Sequence, residues 1–67
     1  MFIEQYSVII KDIHSKKNKK YMIDANTAVD AHHKALSYCN ELTQDIIKIS
    51  DASSNTVYTL TNGFNDE

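Results

Sequence analysis

The segment Tyr21-Met-Ile-Asp-Ala-Asn-Thr-Ala-Val-Asp-Ala-His-His-Lys-Ala35 leaves this chain few folds to choose from. Its first five residues alternate, with Tyr21, Ile23 and Ala25 on one face and Met22 and Asp24 on the other, which is the period of a strand. Directly after them, Asn26 or Thr27 is placed to cap a helix. Thr27-Ala-Val-Asp30 matches a capping box with Asp at the third helical position, where its charge also suits the positive end of the helix dipole. Strand and helix follow each other with almost no loop, so the rest of the chain must pack around that joint.

At 100° per residue, Ala28, Ala31, Ala35, Cys39 and Leu42 form one narrow stripe, flanked by His32 and Leu36 on one side and Tyr38 on the other. Asp30, His33, Lys34, Ser37, Asn40 and Glu41 fall opposite. A stripe of alanines lets a helix approach a sheet closely, with the larger side chains supplied by the sheet. The helix is expected to end near Thr43 without a glycine cap.

Before this joint, Phe2 to Ile13 reads as a strand, with Phe2, Tyr6, Val8 and Ile10 on one face and Ile3, Ile9 and Ile13 on the other. Apolar residues on both faces suit a central strand. His14-Ser-Lys-Lys-Asn-Lys-Lys20 is a polar hairpin loop with four lysines, and the second strand covers about Lys20 to Ala25. After the helix, Asp45 to Asp51 is a third strand, with Ile47 and Ile49 on one face and Ile46 and Lys48 on the other. Ala52-Ser-Ser-Asn55 is a turn and Thr56 to Thr61 a fourth strand. Asn62-Gly63 is a turn signal with too little chain after it for another full strand; Phe64 is placed to fold back, and 62–67 read as a frayed tail. The expectation is one α+β domain over 1–67, ββαββ, with a four-stranded antiparallel sheet ordered 2-1-3-4 and one helix on one face.

That arrangement leaves one sheet face uncovered. Ile3, Ile9, Ile13, Met22, Ile46 and Val57 are expected on it; clustered, they mark a partner surface or a homodimer interface, and otherwise they are scattered or covered apolar residues. Lys16, Lys17, Lys19 and Lys20 form the second candidate. They are either a solvated loop or a contact for an acidic partner or a phosphate backbone, with Tyr6 and Tyr58 as stacking groups if they face outward.

Composition limits what these surfaces can do. Sixty-seven residues bury only about 60% of the surface exposed when unfolded, and a lone cysteine, Cys39, rules out an internal disulfide. That usage, with no secretory pattern and no run near the ~20 apolar residues of a membrane span, places the protein in the cytoplasm. A net charge of −2 with no arginine argues against a dedicated nucleic-acid binder. Abundant Ile, Asn, Lys and Tyr with one glycine and no proline fit an A+T-rich genome such as that of many phages.

Catalytic and metal chemistry find little support. His32 and His33 are adjacent on a helix, pointing about 100° apart, and no four ligands show the paired spacing of a zinc site. Cys39 and His32 share a helix face, but two turns separate their Cα atoms by about 10.5 Å, too far for a thiol–imidazole pair. Asp12, Asp24 and Asp51 sit at strand ends, where solvated carboxylates are ordinary. One glycine cannot make a phosphate loop. No enzyme, no cofactor and no metal is expected.

Tyr6-Ser-Val-Ile-Ile-Lys-Asp12, Ile23-Asp-Ala-Asn-Thr-Ala-Val-Asp-Ala31 with Ala35, and Ile46-Ile-Lys-Ile-Ser50 together resemble small phage-encoded ββαββ inhibitors, including type I-F anti-CRISPR proteins. The resemblance implies a non-enzymatic inhibitor that occupies a surface on a host defence or regulatory complex, with Lys16, Lys17, Lys19 and Lys20 as contacts by position. The alternative reading is a small RNA- or DNA-binding accessory protein that uses the same lysines.

Overall fold

The computed structural model describes residues 3–40 and 42–64. Strands β1 (Glu4–Asp12) and β2 (Asn18–Ala25) form a hairpin. Helix α1 (Ala28–Ala35) follows, then β3 (Gln44–Ser50), β4 (Thr56–Thr59) and the two-residue β5 (Gly63–Phe64). The sheet is antiparallel throughout, in the order β2-β1-β3-β4-β5. The expected α+β class and the 2-1-3-4 order are present, with a fifth strand added at the β4 edge. The expected turn and the fold-back of Phe64 are present, rather than fraying from Asn62: the chain turns at Leu60–Asn62, where the Asn62 amide donates to Thr59 Oγ1 at 3.1 Å. It then pairs Phe64 with Tyr58, and Gly63 supplies the positive φ of 73° that this re-entry needs. Residues 65–67, Phe2 and Glu41 lie outside the described residues.

Helix α1 forms where the capping chemistry places it. Thr27 is the N-cap, accepting from the Asp30 amide at 3.1 Å, while Asp30 reaches back to the Asn26 amide at 3.4 Å. Ala31 and Ala35 are fully buried against the sheet. The helix stops at Ala35, well before Thr43. Beyond Leu36 the amides of Ser37, Tyr38 and Cys39 bond three residues back, so the chain tightens and leaves the helical path. Asn40 then ends it: its carbonyl accepts from Thr43 and Gln44, and its Oδ1 accepts from Leu42. Ser, Tyr, Cys and Asn in succession are weak helix formers, so this local turn wins over propagation.

The core lies between α1 and the sheet, built from Tyr6, Val8, Ile10, Ile23, Ala25, Ala31, Ala35, Ile46 and Ile49. Ile46 is a correction to the expected alternation, since it is only 5% exposed and on the helix side. The β1–β3 ladder slips at this point: Ile10 pairs with Ile46 but Ile9 with Lys48, so Ile47 is an extra, bulged residue. A bulge breaks the two-residue period and lets Ile46 and Ile49 face the same way. A second slip between β3 and β4 makes Val57 the extra residue there, and Val57 packs partly against the helix-side core.

The six residues expected on the uncovered face therefore do not form one patch. Ile46 and Val57 belong with the core, while Ile3 precedes β1 and Ile13 follows it in the hairpin turn. Ile9 and Met22 remain. The register sets Ile9 between Lys20 and Lys48, and Met22 opposite Ser7. That face is consequently mixed in character, with lysines around a single isoleucine.

Candidate functional site

Helix α1 packs most closely on β2 and less on β1 and β3. Five strands about 4.8 Å apart span roughly 19 Å, while one helix covers about 10 Å. Part of the helix-side face over β3 and β4 is therefore left without a roof. There the structure has an open groove of about 310 Å³ lined by His32, Leu36, Cys39, Gln44, Asp45, Ile46, Tyr58 and Leu60.

One wall comes from the helix side that turns toward β4. His32 is half-buried against Tyr58, with ring centroids 4.8 Å apart, and against Phe64 at 5.5 Å. Tyr58 and Phe64 meet at 4.9 Å, so β5 holds this aromatic cluster in place. Aromatic groups at these separations are favourable beyond the area they bury. The opposite wall is Leu60, fixed by the hydrogen bond its N–H donates to the bulged Ile47 carbonyl at 3.1 Å. The floor includes Ile46, turned inward by that same bulge. Cys39 donates its thiol to the Gln44 carbonyl at 3.5 Å, which draws the end of the helical segment toward β3.

Exposed apolar side chains gather around this opening. Leu36 and Leu60 line it and stand partly in water, Phe64 is partly exposed beside Tyr58 and His32, and Leu42, in the connection to β3, is 88% exposed. Tyr38 is exposed on the other flank of the helix, stacked on Tyr21 at 5.3 Å.

The lysine residues singled out in the sequence do not share one loop. Lys16 and Lys17 are in the β1–β2 turn, whereas Lys19 and Lys20 lie within β2 and alternate between its faces. Lys19 sits 5.8 Å from the centre of the Tyr21 ring. Lys20 falls on the open face, beside Ile9 and near Lys11 and Lys48 in register. Tyr6 is buried, and Tyr58 is in the groove, so neither presents a stacking surface on the open face. Burial pushes the Tyr6 phenol above its ordinary value of 10.0, and the Glu4 and Asp51 carboxylates add to the rise.

Two of the three strand-end carboxylates, Asp12 and Asp51, have structural partners. Asp12 Oδ1 accepts from the His14 and Ser15 amides at 2.9 and 3.0 Å, closing the first hairpin. The Ser15 amide, with that of His14, holds the Asp12 carboxyl below its ordinary value. Asp51 Oδ1 does the same in the second turn, accepting from Ser53 and Asn55, each at 2.9 Å. Among the described residues no group of three or more His, Cys, Asp or Glu is placed to hold a metal ion. Among them, too, no helix is long and apolar enough to cross a membrane.

Leu36 had a visible signal in the sequence, as a flank of the alanine stripe. Leu60 had none, because its position depends on the bulge and on a fifth strand. The architecture defines an α+β domain with a half-roofed antiparallel sheet and an apolar groove beside its helix. Comparison with family models, with characterised proteins and with solved structures finds no match to this chain.

Proposed function

We propose that this protein is a non-enzymatic binding module that receives an apolar segment of a partner protein in the groove between α1 and β3–β4. The observation that carries this reading is that exposed Leu36 and Leu60 line one opening together with Ile46 and Tyr58, with exposed Phe64 packed on Tyr58 and His32 beside it. Clustered exposed apolar groups of this kind are the usual mark of an interaction surface. The groove is wide and open, which suits a protein surface better than an enclosed small molecule. In its sharper form the module is a phage-type inhibitor of a host defence or regulatory complex, acting in the cytoplasm. That form rests on the anti-CRISPR-like resemblance of the strand and helix segments and on the single cysteine.

A second reading has one observation in its favour. Lys11, Lys20 and Lys48 surround Ile9 on the open sheet face, which gives a small cationic surface for RNA or DNA. Against it stand the net charge of −2 and the placement of Tyr6 and Tyr58 on the helix side.

A photo-cross-linking residue placed at Leu60, with a control at Met22, separates the two in nuclease-treated bacterial lysate. Cross-linking to a defined protein from Leu60 and not from Met22 is expected. Cross-links confined to Met22, or lost on nuclease treatment, would overturn the groove reading.

A further inference from the structure

Strand β2 is one edge of the sheet and β5 the other. The β5 edge has two residues, but β2 has eight, and its ladder with β1 runs unbroken from Glu4–Ala25 to Lys11–Asn18. An edge of that length presents a row of outward backbone donors and acceptors. Natural guards against pairing are short length, bulges, proline and unopposed lysine. On β2 the guards are Lys19 and Lys20 along the strand, and Lys34 of the helix, whose Nζ caps the Asp24 carbonyl.

Lysine guards an edge only while no carboxylate can stand opposite it. In an antiparallel pair of identical strands, directly opposed residues must point their backbone groups the same way, so each is matched with a residue an even number of positions away. Two such registers, centred on Tyr21 and on Met22, keep seven residue pairs of the strand. Centred on Tyr21, Lys20 falls opposite Met22 of the second copy and gains nothing. Centred on Met22, Lys20 falls opposite Asp24 of the second copy, twice by symmetry. Tyr21 then lies opposite Ile23 of the second copy on the helix side, and the half-exposed Met22 meets its own counterpart on the open face.

We infer that β2 pairs with β2 of a second copy of this chain, antiparallel and centred on Met22, with reciprocal Lys20–Asp24 contacts that set the register. The helix flank above this edge is compatible, since it carries the oppositely charged Asp30 and Lys34, 3.5 Å apart. Lys34 Nζ donates to the Asp24 carbonyl at 2.9 Å and is half exposed, so it returns to water when a strand docks. The groove beside β4 lies at the other end of the sheet order and stays open in the pair.

Charge reversal tests the register directly. Sedimentation across a dilution series is expected to show the mass rising from 7.6 kDa toward twice that value. Lys20→Glu alone, or Asp24→Lys alone, sets like charges opposite each other in both symmetric contacts and weakens association by about tenfold or more. Mixing the two single variants restores association, and so does the double variant Lys20→Glu/Asp24→Lys. Circular dichroism of each variant establishes that it is folded. A wild-type chain that stays at 7.6 kDa at every concentration would overturn the inference, as would a dimer indifferent to both single substitutions.

Discussion

The bulge at Ile47 decides which of two adjacent isoleucines holds the core together, and truncating each in turn makes a sharp test. Ile46 is 5% exposed and packs with Ile10 and Ile49, whereas Ile47 is half-buried and contributes chiefly its carbonyl, which binds the Leu60 amide. Ile46→Ala therefore removes a buried side chain and leaves a cavity, a loss of about 2–5 kcal/mol. Ile47→Ala removes a side chain already partly in water and keeps the backbone contact, so about 1 kcal/mol is lost. A domain of this size has roughly 3–10 kcal/mol in total. With a urea dependence of about 1 kcal/mol per M, the midpoint falls by about 2 M or more for Ile46→Ala and by about 1 M for Ile47→Ala. Unfolding followed by circular dichroism in urea measures both. If Ile47→Ala proved the more damaging, β3 would alternate without a bulge and the groove floor described above would be wrong.

Other consequences follow from single contacts. Ala31→Leu forces a larger side chain between α1 and the sheet at a fully buried position, with an expected cost of about 1–3 kcal/mol in the same urea assay. Lys16 adopts a φ of +61° in the first hairpin turn, a conformation costing an ordinary residue about 1–2 kcal/mol, so Lys16→Gly is expected to be neutral or to raise the melting temperature. The Asp12 carboxyl is held below its ordinary value of 3.8, so its contribution is complete above that pH and is lost as pH falls through the lower folded value. Acid titration of stability is expected to be shallower below about pH 4 for Asp12→Asn than for the natural chain, because the amide oxygen still accepts but no longer titrates.

The parts of this fold that depend on neighbouring residues were legible in the sequence. Alternation placed β2, the capping chemistry of Thr27 and Asp30 placed the start of α1, and apolar residues on both faces placed β1 in the interior of the sheet. What the sequence concealed depends on competition between strands. The even period assigns Ile46 to the open face, and only the β1–β3 ladder shows that one inserted residue returns it to the core. The stripe through Cys39 and Leu42 predicts a longer helix than forms, because it continues after Asn40 has diverted the backbone. The bulge took Ile46 inward, and one helix is too narrow to roof β3 and β4, so the apolar surface lies in the groove and not on the open face. The four lysines likewise read as one loop until β2 claimed Lys19 and Lys20 and set them on opposite faces.

We propose that partner recognition belongs to the groove and not to the open sheet face. Two charge insertions separate these surfaces: Leu60→Glu at the groove wall and Ile9→Glu between Lys20 and Lys48. Each folded variant is used beside the natural chain to capture protein from nuclease-treated bacterial lysate, with the bound material quantified by mass spectrometry. Loss of the captured protein with Leu60→Glu and its retention with Ile9→Glu is the expected result. Retention with Leu60→Glu and loss with Ile9→Glu would contradict the account and return recognition to the sheet face.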